Sequence, residues 1–279
     1  MRAEHVSPPI PPDLRPAVAR WTGYDYDELT PGSHLGLPEP SLTIVIALGP
    51  PTALAVTPDP AQRPEAFGAL IGGMHLRPAV ITYETEMAGI QLNLTPAGVR
   101  ELLGMPAGAL SPAVVHLEDV LGRSATELRE RLHDAASWPQ RFAVLAAALR
   151  TRRSETRPPT TIDAAWRRLV TAPHTRVGEL AEELGYSRRH LDQRFRGEYG
   201  VTPKQVARIA RFDRSRRALQ GVDRPPLAAV AAAAGYYDQA HMAREWNELA
   251  GCPPSQWLAD EVLPFVQDDD GAARHASAA

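Results

Sequence analysis

The chain has 279 residues, of which 44% are hydrophobic and 23% charged, and it is long enough for two globular domains. No apolar run approaches the roughly 20 residues that span a bilayer, and the N-terminal segment MRAEHVSPPIPP lacks the apolar stretch of a secretory signal. Cys252 is the only cysteine, which excludes an intrachain disulfide and a thiolate metal cluster. We therefore expect a soluble, cytoplasmic protein that does not interact with a membrane.

The formal net charge of −3 is distributed unevenly along the chain. Residues 1–150 hold 11 Arg and 16 acidic residues, a net charge of −5. Residues 151–263 hold 17 Arg and one Lys against 14 acidic residues, a net charge of +4. A surface that binds phosphate groups is therefore expected in the C-terminal part.

Short apolar runs separated by turn residues predict strands in the N-terminal half. After a Pro-rich start, expected to be extended or mobile, these runs are SLTIVIALG, TALAVT, PAVITYE and AGIQLNL. They indicate a small antiparallel β-domain between about 35 and 95. A barrel of the cupin type and a sandwich both remain open at this stage.

Helical patterns follow the predicted strands. Ser124 and Glu127 have the spacing of a capping box, and Ser137 stands where it would cap a second helix. We therefore predict a β-rich domain with two or more helices over residues 1–150, whose helices either close the β-domain or pair with a second copy of the chain. The polar, Pro-interrupted stretch 151–161 is predicted to be a linker.

Residues 162–263 are predicted to be entirely helical, and they contain an internal repeat with a period near fifty residues. The two copies cover 177–200 and 227–251, and TPKQVARIARFDRSRRAL predicts a long helix between them. The fold class is thus α+β: a β-rich domain followed by an all-α domain. The tail 264–279 is predicted to be disordered.

Each copy of the repeat has the features of a helix-turn-helix unit. Apolar residues spaced i, i+3, i+4 and i+7 give the first helix of each copy one apolar face. Gly185 and Gly235 follow these helices, where a left-handed backbone favours glycine. Ser187 and Asp238 then supply side-chain oxygens that can cap the second helix. The second helices are therefore predicted to project outward and contact DNA.

The outward faces of these second helices carry side chains suited to base edges. Arg, Gln and Asn pair with guanine or adenine in the major groove, while the same helices turn Leu191, Phe195, Met242 and Trp246 inward. Our candidate DNA-binding residues are Arg188, Arg189, Asp192, Gln193, Arg196, Gln239, His241, Arg244 and Asn247.

At these residues the chain resembles the AraC/XylS family of bacterial transcription regulators. The resemblance rests on SRRHLDQRFRGEYGVTPKQVARIARFDRSRRAL and, more specifically, on AAAAGYYDQAHMAREWNELAGCPPSQW, about 100 of the 279 residues. It implies a DNA-binding domain that contacts two successive major-groove segments of double-stranded DNA. The positions that match base-contacting residues of the family are Arg189, Asp192, Gln193, Gln239, His241 and Arg244. Asp192 departs from the pattern, because an acid near DNA repels phosphate.

The N-terminal half resembles, more loosely, the sensor halves attached to this domain in many actinobacterial regulators. That resemblance implies a small-molecule effector of unknown identity, or a homodimer formed through the N-terminal domain. RNA polymerase is a further candidate partner of such a regulator.

Two other classes of function were weighed. An alkyl-accepting enzyme would need an activated cysteine, but Cys252 lies in a Gly-Cys-Pro-Pro turn without an adjacent histidine. A metal-dependent oxygenase would need clustered ligands, but His34, His75 and His116 are scattered along the chain. We therefore expect no enzyme, no catalytic residue, no metal site and no cofactor. The remaining alternative is a regulator that acts through protein partners, as an anti-activator with weak or vestigial DNA binding.

Overall fold

The structure is a computed structural model that describes residues 2–221 and 224–260. Its N-terminal half contains a six-stranded sheet in the order β1-β2-β9-β4-β7-β10 and a four-stranded sheet in the order β3-β8-β5-β6, both antiparallel. The strands are β1 (Arg2–Val6), β2 (Val18–Asp27), β3 (Gly32–Gly36), β4 (Leu42–Ala47), β5 (Thr52–Val56), β6 (Glu65–Phe67), β7 (Ala69–Gly72), β8 (Ala79–Tyr83), β9 (Met87–Leu94) and β10 (Val114–His116).

Side chains alternate along β4 between two apolar layers, because successive residues of a strand point to opposite faces. Val45 packs in a cluster with residues of both sheets, including Leu54 of β5 and Leu70 of β7. Ile44 and Ile46 belong instead to the large core cluster on the other face of the six-stranded sheet. The two sheets thus face each other, and helices cover the outer face of the larger one.

The covering helices lie between the sheets and the C-terminal domain in the chain. They are α1 (Pro96–Leu103), a 3-10 helix (Ala107–Leu110), α2 (Leu117–Leu121), α3 (Arg123–Asp134) and α4 (Trp138–Arg152). In α4 the apolar stripe that contains Trp138, Phe142 and Leu149 is buried in the large core cluster. This packing anchors α4 to the N-terminal domain.

The C-terminal domain is all-helical over the described residues. It consists of α5 (Thr160–Thr171), α6 (Val177–Glu183), α7 (Arg188–Tyr199), α8 (Pro203–Gln220), α9 (Leu227–Ala234), α10 (Gln239–Ala250) and α11 (Pro254–Asp260). The predicted fold class, a β-rich domain followed by a helical domain with two helix-turn-helix units and a long connecting helix, is confirmed. Along the described chain, no helix has both the length and the apolar character that crossing a bilayer requires.

Several local predictions for the N-terminal half were wrong. The β-region begins at β1 rather than near residue 35, because Arg2–Val6, which precedes the prolines, forms an edge strand paired with β2. The capping box at Ser124 and Glu127 is absent: Gly122, with φ of 58°, precedes the helix, so Ser124 lies inside its first turn. Ser137 does occupy the N-cap position of α4 but makes no capping hydrogen bond.

The segment predicted as a linker is shorter than expected and is fixed to the N-terminal domain. It runs only from the end of α4 to the start of α5. The buried carboxylate of Glu101 on α1 binds Arg153 at 2.5 Å and Arg157 at 3.2 Å, and its carbonyl oxygen accepts from Ser154. The predicted disordered tail 264–279 lies outside the described residues.

Both halves of the chain share their hydrophobic cores. The largest cluster joins the outer face of the six-stranded sheet to α5, α6 and α7. A second cluster joins Leu35, Leu37 and Leu76 of the N-terminal half to α8, α9, α10 and α11. Each helix-turn-helix unit is therefore packed against the N-terminal half.

Candidate nucleic-acid interface

The first helix-turn-helix unit has the local geometry that its sequence predicts. Gly185 adopts a left-handed backbone with φ of 67° between α6 and α7. The hydroxyl of Ser187 accepts a hydrogen bond of 3.2 Å from the backbone N–H of His190 and caps α7. Leu191 and Phe195 are fully buried, so the opposite face of α7 is turned to solvent.

The outward face of α7 carries cationic and amide groups that are available to a partner. Arg188, Arg189, Gln193 and Arg196 are all exposed, whereas Asp192 is half-buried. Within the described ranges, no ion pair or side-chain hydrogen bond engages the side chains of Arg189, Gln193 or Arg196. These groups are free to exchange water for phosphate or base-edge contacts.

The second unit repeats this arrangement. Gly235 has φ of 92°, and the Asp238 carboxylate caps α10 by accepting from the His241 backbone N–H at 2.6 Å. Met242 and Trp246 are fully buried. The side chains predicted to face outward, Gln239, Arg244 and Asn247, are exposed.

His241 differs from the other predicted site residues because its ring is occupied within the protein. Its Nδ1 accepts from the backbone N–H of Tyr237 at 3.3 Å, and its Nε2 lies 3.5 Å from the buried carboxylate of Glu245. The ring is half-buried and packs edge-on against Tyr236. These contacts hold the first turn of α10 in place and leave His241 less accessible to a base edge than the exposed Gln239, Arg244 and Asn247.

Glu245 fixes α10 to the long helix α8. Its Oε1 lies 2.9 Å from Arg211 and 3.3 Å from Arg208, and Arg208 also binds Glu248. In the core of the same contact, the indole N–H of Trp246 donates to the Ser215 hydroxyl at 2.9 Å. The arginines of α8 are thus largely engaged in holding the domain together.

Arg214 on α8 ties α5, the first helix of the domain, to α9 of the second unit. Its Nη1 donates to the carbonyl oxygen of Val170 near the end of α5 at 2.7 Å, and its Nε and Nη2 donate to Ala234 at the end of α9. Burial, with Arg211 nearby, lowers the pKa of this guanidinium. A half-buried cation that binds the carbonyl ends of two helices also interacts favourably with both helix dipoles.

Two exposed side chains, one on α7 and one just before α10, are absent from the set predicted from the sequence; α7 and α10, the second helices of the two units, are called the recognition helices below. Arg194 on α7 is exposed and engages in no ion pair with other described residues. Tyr237, immediately before the N-cap of α10, is 92% exposed, which is exceptional for a large aromatic ring. The one-residue insertion that distinguishes the second turn from the first marks the position of Tyr237 in the sequence.

The C-terminal end of α7 is held by the N-terminal half. Arg100 on α1 forms two hydrogen bonds of 2.7 Å with the buried carboxylate of Glu198, which raise the pKa of the guanidinium. At Gly108 in the 3-10 helix, a Cβ atom would lie only 2.6 Å from the backbone nitrogen of Gly200. Gly200 itself has φ of 75° and contacts Ser111. The chain therefore has a close backbone contact between its N-terminal half and the first recognition helix.

A cavity of about 90 Å³ lies between the two sheets of the N-terminal half. Aliphatic side chains from both sheets form most of its wall, together with His34, Glu39, His75 and Gln91. Trp257, from the last described helix α11, also lines it. The described residues contain no group of three or more His, Cys, Asp or Glu that could hold a metal ion.

Comparisons with known proteins agree with this architecture. Residues 180–260 match a family model described as a helix-turn-helix domain, of the AraC type. The chain superposes on ToxT from Vibrio cholerae with a TM-score of 0.54 and 11% identity, over 86% of this chain and 98% of that one. A structure of ToxT from Vibrio cholerae O395 gives a TM-score of 0.50 with 11% identity and covers 86% and 97%. A search of curated proteins found no significant match.

The helix-turn-helix match and the two paired units of the structure define a DNA-binding transcription regulator. The C-terminal part is an AraC-type helix-turn-helix domain, and over 86% of its length the chain shares the fold of ToxT.

Proposed function

We propose that the chain binds a specific DNA sequence by placing α7 and α10 in two successive major-groove segments. The observation that carries this proposal is the contrast between two sets of arginines. Those of α8 are engaged by acids or carbonyl groups, whereas Arg189, Arg196 and Arg244 on the recognition helices are exposed and free of such contacts within the described ranges. Exposed guanidinium groups on a recognition helix suit guanine edges and phosphates.

We assign base contacts to Arg189, Gln193 and Arg196 of α7 and to Gln239, Arg244 and Asn247 of α10. Arg188 lies in the first turn of α7, where a phosphate contact is expected. Asp192 and His241 are assigned supporting roles at the margins, since the first is half-buried and the second is engaged by Tyr237 and Glu245.

The cavity between the sheets is the proposed site of a small effector that modulates DNA binding. Its wall includes Trp257, and the ring of Trp257 packs against Trp246 of α10 with centroids 5.2 Å apart. This contact is a short physical route from the cavity to the second recognition helix.

Contacts with RNA polymerase and a homodimer remain predictions. In the described part, Val56 and Tyr237 are the large hydrophobic side chains exposed by more than half.

In vitro selection with the full chain and random duplexes tests the proposal. We expect a motif with two conserved blocks whose centres lie about 10–10.5 base pairs apart, one helical turn. On the selected duplex, the logarithm of the association constant should fall linearly with the logarithm of the salt concentration, with a slope of about −3 or steeper. Each phosphate contact contributes about −0.9 to this slope. The absence of any motif, together with a flat salt dependence, would favour the anti-activator alternative.

A further inference from the structure

Tyr237 combines near-complete exposure with a position at the N-terminal end of α10. Its side chain is 92% exposed, and the other large hydrophobic side chain exposed in the described part of the chain, Val56, reaches 51%. Single apolar side chains are ordinary on a protein surface, so exposure alone assigns Tyr237 no role. Its position does, because Tyr237 lies immediately before Asp238, the N-cap of α10. In helix-turn-helix proteins the N-terminal residues of the recognition helix contact the base edges.

The backbone around Tyr237 is held in place although its ring is exposed. The preceding residue, Tyr236, is buried, and the guanidinium of Arg211 lies 5.7 Å from the centroid of its ring. The backbone N–H of Tyr237 donates to Nδ1 of His241 at 3.3 Å. Within the described ranges, the hydroxyl of Tyr237 makes no hydrogen bond. The ring thus projects into solvent from a fixed point, and the packing of the described residues does not depend on it.

The first turns of the two recognition helices present different chemistry. Next to Tyr237, the first turn of α10 exposes Gln239 and Ala240. The first turn of α7 exposes three polar side chains instead: Arg188, Arg189 and His190. Because one residue is inserted in the second turn, Tyr237 has no counterpart in the first unit. An apolar contact with DNA is therefore available to the second unit and not to the first turn of α7.

The major groove offers an apolar side chain one kind of partner. Each base pair presents hydrogen-bond donors and acceptors there, and only thymine adds an apolar group, its 5-methyl group. An aromatic ring that covers the edge of guanine or cytosine removes water from donors and acceptors without replacing its hydrogen bonds. The same ring placed against a thymine methyl group buries apolar surface on both sides. The exposed apolar groups at the start of α10 therefore favour thymine.

We propose that the ring of Tyr237 contacts the 5-methyl group of a thymine in the half-site read by α10, and thereby selects an A·T pair. Gln239 lies two residues further along the chain and carries the amide group that pairs with adenine. The two side chains together match the thymine and adenine edges that one A·T pair, or two adjacent ones, present in the major groove. This inference rests on the proposed sequence-specific binding and adds a base-pair type that the second unit selects.

The test removes the methyl group from the DNA. The full chain is titrated, by fluorescence anisotropy, with the duplex obtained by in vitro selection, in which each thymine of both conserved blocks is replaced singly by deoxyuridine. Deoxyuridine keeps the pairing groups of thymine and lacks only the methyl group. One replacement, in the block where Arg244→Ala relaxes the preference, should weaken binding about fourfold. This factor corresponds to about 0.8 kcal/mol for one buried carbon group.

Variants assign the effect to the ring. Tyr237→Ala should bind the thymine and deoxyuridine duplexes equally, whereas Tyr237→Phe should keep the fourfold discrimination, because it keeps the ring. Val56→Ala removes the other exposed hydrophobic side chain, at the end of β5, and should leave both affinities unchanged. If Tyr237→Ala does not fold, Tyr237→Gln removes the ring with a polar side chain and tests the same point.

The outcomes are distinct from those of the DNA-binding test. An effect of deoxyuridine that is absent from both blocks, or that persists unchanged in Tyr237→Ala, would overturn the thymine contact. If Tyr237→Phe loses the discrimination, the hydroxyl group makes the contact and the apolar role of the ring is wrong. A chain that selects no motif contradicts the proposed function and this inference with it. A chain that selects a motif but tolerates every deoxyuridine contradicts only the role of Tyr237.

Discussion

Five arginines of α8 and five of the recognition helices differ in what their guanidinium groups contact. On α8, Asp213 binds the buried Arg216 at 2.7 Å and Arg217 at 3.0 Å, and the remaining three reach Glu245, Glu248 or helix-end carbonyls. The five on α7 and α10 are exposed: Arg188, Arg189, Arg194, Arg196 and Arg244. Residue type alone does not separate the two sets, but their partners do.

Arg244 is the side chain on α10 whose loss should report most directly on sequence preference. Arg244→Ala should weaken specific DNA binding by about 1–3 kcal/mol and relax the preference at one base pair, because a bidentate contact with guanine would be lost. Fluorescence anisotropy with the selected duplex and with single-base variants of it measures both effects.

Arg123→Ala is a matched control for the Arg244 substitution. It removes one positive charge from α3, where the side chain is 95% exposed, and should leave DNA affinity unchanged. If Arg244→Ala instead weakens binding equally on every duplex, Arg244 contacts a phosphate and carries no sequence information.

Residue by residue, the faces of the recognition helices were predictable and the partners of the charges were not. The inward positions Leu191, Phe195, Met242 and Trp246 follow from helical periodicity, and all are fully buried. The approach of His241 to Glu245 is an i,i+4 contact within α10, which helical spacing indicates, but the pairing of Glu245 with Arg208 and Arg211 of α8 depends on how the two helices pack. Which candidate residues touch DNA stays a prediction.

Among the secondary-structure elements, α1 carries charged side chains that join the two halves. Its neighbouring residues Arg100 and Glu101 engage different parts of the chain: Glu198 on α7, and Arg153 and Arg157 before α5. Thr95 caps α1 and Pro96 occupies its first turn, which places both charged residues reproducibly. The helix thereby fixes the C-terminal end of α7 and the segment that leads into the C-terminal domain.

Breaking the pair between Arg100 and Glu198 should destabilise the whole chain. Arg100→Met leaves the Glu198 carboxylate, only 6% exposed, without its cation, and should cost about 3 kcal/mol in the free energy of unfolding. The estimate is at the lower end for buried pairs because Arg100 is itself partly exposed. Urea unfolding monitored by circular dichroism measures the change.

Arg150→Met provides the matched control for this substitution. It removes a guanidinium that also forms two hydrogen bonds with a carboxylate, that of Asp13, but both partners are exposed and the effect on stability should be small. The double variant Arg100→Met/Glu198→Leu should recover most of the lost stability. Equal losses in Arg100→Met and Arg150→Met would show that the interdomain pair has no special weight.

Prediction from the sequence succeeded for elements whose ends have local markers. The helix-turn-helix units have a glycine with positive φ followed by a capping Ser or Asp, and both were placed correctly. The markers of α1, Thr95 and Pro96, were present but overlooked. Strands β1, β2 and β3 depend on pairing with distant segments, such as β2 with β9, and short-range patterns do not encode that register.

Across the whole molecule, the two core clusters cross the boundary between the halves. Residues of α5, α6 and α7 share one cluster with the six-stranded sheet, and Leu35, Leu37 and Leu76 share the other with the second helix-turn-helix unit. The domain boundary at residues 151–161, predicted from a polar, Pro-interrupted stretch, stays a prediction. The extent of the shared core was not predictable, because apolar residues on one helix do not indicate which distant surface covers them.

A fragment that begins at Pro158 should fold and bind DNA but be less stable than the full chain. It keeps the mutual packing of α5 to α11. It loses the contacts of Arg100 and Gly108 with α7, and the packing of Leu37 in the hydrophobic cluster of α8 to α11. We expect a lower midpoint of thermal unfolding for the fragment and a single cooperative transition for the full chain, both by calorimetry. An aggregating fragment, or two separate transitions in the full chain, would contradict this expectation.

Arg214 has a consequence for the operators that the protein can use. By binding the ends of α5 and α9 from one position on α8, it restrains the second helix-turn-helix unit relative to the rest of the domain. In the proposed complex with DNA, this restraint limits how far α10 can turn about the duplex relative to α7. One base pair inserted between the two half-sites turns the second by about 34–36° and shifts it by about 3.4 Å. A domain restrained in this way should not rotate far enough to contact both displaced half-sites. We therefore expect the number of base pairs between the two half-sites to be as invariant as the bases themselves.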